Sequence, residues 1–420
     1  MGVHNLIVLV GPFSESGFKN FLSGVHGGNQ ILRNLIISIN KKYNAKIRFL
    51  ILIGEGKNRE DRLFDMIHTY LPLLDYDIIT VKGIKTLSIP TFSTLSCKML
   101  RSRLCVFLST YKKLTSIIPH ILKNIDYDFM INSTGIAPLF VDNEVLYIQP
   151  GSMDLCTGAF ASDVYRRLFW HALSDYAKKV RQLIRSKKLL LIANSKFTKY
   201  FFKNLYGIEK EDIYVIYPRS TLMDLLTKLQ AKKHKDTTNL LIIAYTRFVR
   251  GKRFEDLIKA GRLLKRKLRE GRYKIILAGY AQDKDYLRYL INSAQAIKQI
   301  ISFRINLNNQ EALNLLLKSD IYVHTSRCEP LGLSVLEAMG AGNAIVTHMS
   351  GGPWLDILEK GRWGLGYESV KDLVAALYKL IQNEEYLRKY QEYSYTRFRF
   401  FAKRKTFEEF IRLIESWYST

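Results

Sequence analysis

Cysteine is scarce: four of 420 residues, Cys97, Cys105, Cys156 and Cys328, with no CxxC pair and no metal-finger spacing. That excludes a zinc finger and gives no support to a disulfide-stapled scaffold. Long apolar runs are missing too. Runs such as 6–10, 49–53 and 189–193 hold five residues each and none exceeds six, far short of the ~20 that a spanning helix needs. No basic segment precedes residues 5–10 and no small-residue cleavage site follows them, so a secretory signal is not expected. The chain reads as cytosolic, reduced and soluble. Acidic side chains are also in short supply, 38 against 64 Lys and Arg, for a formal net charge of +26. What is abundant is apolar: 22 Phe and 25 Tyr within 47% hydrophobic residues, which excludes intrinsic disorder.

The excess charge favours polyanionic partners, whether nucleic acid, anionic lipid or phosphorylated small molecules. It is spread along the chain, with 29 basic and 17 acidic residues in 1–218 and 35 and 21 in the remainder. Two stretches combine basic residues with helical apolar spacing. Residues 98–123 carry six basic residues and no acid, and 165–188 carry an apolar stripe through Tyr165, Phe169, Ala172, Tyr176, Val180 and Leu183. A basic amphipathic helix can rest on an anionic membrane surface or pack on a core with its charges solvated. Both readings stay open for 165–188, whereas 98–123 leans to the membrane because no acid offsets its charge.

Short apolar runs alternate with helix-period segments almost from end to end. Strands are expected at 6–10, 47–53, 78–81, 129–132, 145–148, 189–193, 240–244, 274–278, 300–303, 321–324 and 344–347, which argues for parallel sheets covered on both faces. Residues 219–238 turn polar and charged and read as a linker. The expected organisation is therefore an α/β protein of two doubly wound, Rossmann-like domains, 1–218 and 239–395, with a last helix, 396–420, crossing back to the first. Ligands of such sheets bind at the carboxyl ends of strands, so a cleft between the domains is the expected site.

The sharpest motif runs from Cys328 to Gly342, with Glu329 and Glu337 eight positions apart. Glu329 falls on a loop after the 321–324 strand. Pro330 and Gly332 lead into a helix whose free N–H groups and dipole suit an anion. Two carboxylates flanking such a site would serve a ligand with hydroxyls at both ends and a diphosphate between them. Three D-x-D strings, at 75–77, 126–128 and 283–285, read as solvated turn acids. The eight His show no metal pairing, and no Walker or Ser-His-Asp string occurs.

The 329–337 string resembles the E-x7-E signature of glycosyltransferase family 4, retaining enzymes of the GT-B fold. Residues 245–254 resemble the stretch that opens the second domain of that family, Ala193–Thr198 and Val215–Pro218 the end of its first, and Phe407–Trp417 its returning helix. Local strings such as Tyr127–Gly135, Phe303–Asn306, His324–Thr325 and Ser350–Ile357 resemble the branch that adds mannose to dolichol-linked oligosaccharides on the cytosolic membrane face. The resemblance implies a hexose, mannose favoured, moved from a GDP- or UDP-linked donor to a polyprenyl-linked oligosaccharide, by a peripheral protein of the cytoplasmic face. Arg247, Lys252 and Glu329 would be catalytic. Gly27, Gly28, Leu331, Gly332, Leu333, Glu337, Arg304, Ile305 and Gln149 would bind the donor. A phosphate oxygen of the leaving group would take the acceptor's proton, and no metal or other cofactor would be required. Gln149 stands where many relatives carry His, Asn29 where an acid is usual, and Leu331 where Phe is common. A glycosyltransferase acting on a soluble or cell-surface glycan is the alternative, and a basic nucleic-acid-binding protein a distant one.

Overall fold

The computed structural model describes residues 5–10, 27–52, 76–81, 115–132, 138–148, 174, 176–229, 239–268 and 272–419. The chain divides into two compact units, one built from residues before Arg219 together with Lys405–Thr420, the other centred on Arg219–Arg404.

The first unit holds a seven-stranded parallel sheet in the order β3-β2-β1-β4-β5-β6-β7. Its strands are β1 (Asn5–Val10), β2 (Lys46–Leu52), β3 (Tyr76–Val81), β4 (Phe129–Asn132), β5 (Glu144–Ile148), β6 (Leu189–Ala193) and β7 (Ile213–Val215). β4 and β6 are buried along their whole length, as expected where helices cover both faces of a parallel sheet. The apolar stripe of 165–188 takes the core-packing course over its described part. In the helix over 176–185, Ala177 and Val180 are buried, Tyr176, Leu183 and Ile184 pack on the core, and Lys178, Lys179 and Arg185 face outward. The described end of 98–123 behaves alike: Ile118 and Leu122 are buried with Met130 and Leu139. Residues 98–114 and 165–173 lie outside the described residues.

The second unit is a six-stranded parallel sheet in the order β10-β9-β8-β11-β12-β13. Its strands are β8 (Leu240–Tyr245), β9 (Tyr273–Gly279), β10 (Ile301–Ile305), β11 (Ile321–His324), β12 (Ala344–His348) and β13 (Leu365–Tyr367). Ile242, Ile275, Leu277, Ile321, Val323 and Val346 form its core with Leu257, Leu373 and Leu377 from the covering helices. Several of those helices start on side-chain caps. Asn308 with Glu311 and Ser369 with Asp372 form capping boxes, and the Asp283 carboxylate accepts from the Tyr286 amide. Asp283 of the third D-x-D string is thus a helix cap. In both sheets the strand order reverses beside the first strand, between β1 and β4 and between β8 and β11, which is where doubly wound sheets open a binding crevice.

Two boundaries differ from the sequence reading. The supposed linker 219–238 contains a helix, Thr221–Leu229, whose Leu222, Met223 and Leu226 are buried. Apolar residues at helical spacing outweigh the charge that begins at Lys228. The crossing segment is also shorter than 396–420. The helix Glu384–Ala402 belongs wholly to the second unit. Its Arg397 donates to the carbonyls of Asp356 and Ile357 and pairs with Glu359. Only the separate helix Thr406–Tyr418 joins the first unit, where Phe410 meets Tyr147 and Thr406 donates to the Tyr217 carbonyl.

The first unit also buries Glu144 completely. Its carboxylate accepts from Asn132 at 2.6 Å and from the amides of Leu139 and Phe140 at 2.8–3.0 Å. Burial pushes its pKa up to about 7 against those donors. Glu144→Leu removes the acceptor that these three donors share, and a buried amide left unsatisfied costs about 1–3 kcal/mol. We expect that variant to lower the urea midpoint clearly. An unchanged midpoint would show that the carboxylate does not hold the 138–144 turn.

Candidate active site

Every candidate residue of the second unit lies at or beyond the carboxyl edge of its sheet. β8 ends at Tyr245, and the following loop is tied to the loop after β9. Phe248 N donates to Tyr280 O at 2.8 Å, and Asp283 N to Phe248 O at 3.0 Å. This bracing holds Arg247, whose Nη1 donates to Gln282 at 3.0 Å. A single 3-10 turn follows, Arg250–Lys252, closed by Arg253 in the left-handed region at φ 52°. With Phe248 stacked on Phe254 beneath it, the turn buries Lys252 to 3% exposure.

β11, next to β8, ends at His324. Thr325 Oγ1 then donates to the Lys252 carbonyl at 2.5 Å, joining the two loops. The chain reaches Glu329, and Lys252 Nζ donates to its Oε2 in an ion pair, the two side chains 4% and 17% exposed. Burial opposes ionisation of Glu329, but Lys252, His324 and Arg247 together pull its pKa down to about 2. The carboxylate is therefore charged at neutral pH. His324 lies 3.9 Å from the same Oε2 and is 3% exposed. Burial, with the Lys252 charge adding and Glu329 opposing, pushes its pKa down to about 4, so the imidazole is neutral.

The Glu329 loop rests on the loop after β12. Gly352 N donates to Glu329 O at 2.8 Å, and Cys328 N to Ser350 Oγ at 3.0 Å. The approach requires glycine at 351, where φ is +77° and a Cβ would fall 2.5 Å from the Glu329 carbonyl. Gly332, at φ 91°, then caps the helix Leu333–Gly340. Among the described residues no acceptor takes the amides of Leu331, Gly332 and Leu333, which is the ordinary anion-binding condition of a helix N-terminus. Glu337 is the fifth residue of this helix, in its second turn. It is 9% exposed, accepts from Ser220 Oγ at 2.7 Å, and has its pKa raised by burial.

The remaining candidates divide. Arg304 and Ile305 end β10 and are exposed, roughly 10 Å from β8 across two strand spacings. Gly27 and Gly28 open the helix Gly27–Tyr43 of the first unit. Gln149 lies outside the described residues. Sequence reasoning missed Ser220, which it placed in a linker, and gave His324 no role in the site although its position at a strand's carboxyl end was readable. One expectation is corrected. Cys328 is disulfide-bonded, and its partner lies outside the described residues. Local spacing cannot reveal a pair that is distant in the chain. Among the described residues no cluster of His, Cys, Asp or Glu could hold a metal ion, and no helix is long and apolar enough to cross a membrane.

Residues 227–397 match the family model described as glycosyl transferases group 1. The whole chain superimposes on a glycosyltransferase from Rickettsia africae with a TM-score of 0.63 at 14% identity, covering 99% of both chains. It also superimposes on Anabaena Alr3699/HepE, solved with UDP and glucose, with a TM-score of 0.58 at 15% identity, covering 98% of this chain and 100% of that one. The fold is GT-B. More particularly, the chain is similar to proteins named GDP-Man:Man(3)GlcNAc(2)-PP-Dol alpha-1,2-mannosyltransferase. The Xenopus laevis protein is 29% identical over 39% of this chain, and the Dictyostelium discoideum protein 20% identical over 88% of this chain and 77% of its own length. In the alignments with the first vertebrate relatives the chain spans little more than a third of their length, 35% for Xenopus laevis and 37% for Mus musculus.

Two predictions follow from the charges. Lys252→Met leaves a buried carboxylate uncompensated, and breaking such a pair costs about 3–5 kcal/mol. Chemical denaturation should show that loss, with Lys252→Met/Glu329→Gln recovering much of it; equal stability of the two variants would mean that the pair is not coupled. His324 and His348 both titrate near pH 4 when folded, lowered by burial from 6.5. The unfolded chain therefore binds more protons below pH 6.5, and their contribution, complete above that pH, is lost as pH falls through 4. Thermal midpoints should drop between pH 6.5 and 4, and less steeply in His348→Phe. An identical slope in that variant would contradict the assignment.

Proposed function

We propose that the chain transfers a hexose, with mannose favoured, from a nucleoside-diphosphate sugar to a hydroxyl of a dolichyl- or other polyprenyl-linked oligosaccharide, with retention of configuration. The observation that carries the reading is the buried Lys252–Glu329 pair at the switch between β8 and β11, beside unpaired helix amides. The difficult moment of such a transfer is breakage of the sugar C1–O bond, when negative charge grows on the departing diphosphate. Fixed cations and N–H dipoles are the strongest lever on that charge. Arg247, Lys252 and the amides of Leu331, Gly332 and Leu333 would supply it here, so a metal ion is not required for that role.

The carboxyl edge of the sheet would order the donor. β10, β9, β8 and β11 are consecutive neighbours, about 14 Å in all, enough for a base beside Arg304 and Ile305, the diphosphate beside Arg247 and Lys252, and the sugar at Glu329. Glu337 would take the ribose, releasing Ser220. The names of the similar proteins support a GDP-mannose donor and a dolichol-linked acceptor. A peripheral position on the cytoplasmic face of a membrane fits that acceptor. In the first unit, the open groove lined by Lys178, Arg181, Gln182, Arg185 and Ser186 offers a basic face to anionic headgroups.

Purified protein should be stabilised against heat by one class among GDP-, UDP- and ADP-sugars, and should move that sugar to a lipid-linked acceptor. Arg247→Ala, Lys252→Ala and Glu329→Ala should each lower turnover about 100-fold or more. Turnover like wild type in all three would end the reading. Transfer to free glycans alone, with no flotation on anionic liposomes, would favour a soluble acceptor.

A further inference from the structure

His324 is a buried side chain with an unbonded ring nitrogen. Its Nε2 is closed off from solvent and has no hydrogen-bond partner, a condition rare enough in folded proteins to need a reason. The ring is held parallel to Tyr322 at 6.4 Å between centroids. The charged groups acting on it are Glu329, at 3.9 Å, and Lys252, from the adjacent loop. A neutral imidazole carries one N–H, and the nearest anionic acceptor is the Glu329 oxygen that Lys252 already occupies.

We infer that His324 is a positioning residue for Glu329, its Nε2–H taking over the carboxylate oxygen when Lys252 turns to an incoming anion. The inference deepens the reading of the site as a donor diphosphate pocket and rests on it. Lys252 cannot neutralise a diphosphate and keep Glu329 fully paired, and a buried carboxylate that loses its cation is costly. A hydrogen bond from the imidazole offsets part of that cost. A shift of about 1 Å brings Nε2 and Oε2 to hydrogen-bond distance. Glu329 then stays oriented, with its other oxygen toward the sugar hydroxyls. A lysine or arginine in place of His324 would compete for the phosphates, whereas a neutral donor would not.

The first experiment uses no ligand. In Lys252→Met the His324 Nε2–H should give a downfield, slowly exchanging proton resonance that wild type lacks. Its absence from the folded variant overturns the proposal. The second is kinetic. His324→Phe preserves ring volume against Tyr322 and should lower kcat about 10-fold while KM for the donor changes less than about 3-fold, the pattern of one lost hydrogen bond made after binding. His324→Gln, which restores a neutral N–H, should regain most of the loss. Wild-type kcat in His324→Phe, or no rescue by Gln, overturns the proposal. If wild type transfers no sugar from any donor, the proposed function falls, and the resonance in Lys252→Met still decides the role of His324.

Discussion

The second unit is organised around a charge pair taken out of water. Lys252 and Glu329 come from two loops 77 positions apart, and they meet because β8 and β11 are parallel neighbours whose carboxyl ends deliver both loops to one point. Such burial is expensive and gives little net stability. The surrounding contacts make sense as the means of holding it. Thr325 ties the Lys252 backbone to the Glu329 loop, Gly351 and Gly352 let the β12 loop support that loop from below, and Phe248 and Phe254 seal the turn. A fold that accepts this cost at a crevice gains a cation and an anion held ready for a ligand that can use both.

Under the proposed function, one sheet edge would handle three chemically different parts of a donor. Exposed side chains at the end of β10 would give a surface for a base, the β8 loop cations, and the helix after β11 amide dipoles that point along its axis. Each part is positioned by regular structure, so the spacing follows from strand separation and not from flexible side chains. Glu337 differs from Glu329 in this respect. It is buried against Ser220 with its pKa raised by burial, so it needs a polar partner exchange before it can serve a ligand.

Much of this was legible in the sequence. Strands buried on both faces read as unbroken apolar runs, so 129–132, 189–193 and 321–324 were placed as they occur. The three-residue strands β7 and β13 carry too few residues to show a pattern. The helix Thr221–Leu229 was hidden by the charges that follow it, although Leu222 and Leu226 stand one turn apart. In the site, the spacing of Glu329 and Glu337 and the helix start at Gly332 could be read locally. The contacts that give those residues their character could not. Ser220 meets Glu337 across 117 positions, and the isolation of His324 Nε2 is a property of packing that spacing does not encode.

The central claim is that this pair exists to meet a diphosphate. Isothermal titration of GDP and of UDP, without sugar, into wild type and into Lys252→Met/Glu329→Gln tests it most directly, because the double variant keeps the shape of the pair and removes its charges. The account predicts that whichever nucleotide wild type prefers will bind the double variant about 10- to 100-fold more weakly, the worth of a charge-assisted hydrogen bond. Equal affinity in the two proteins would contradict it.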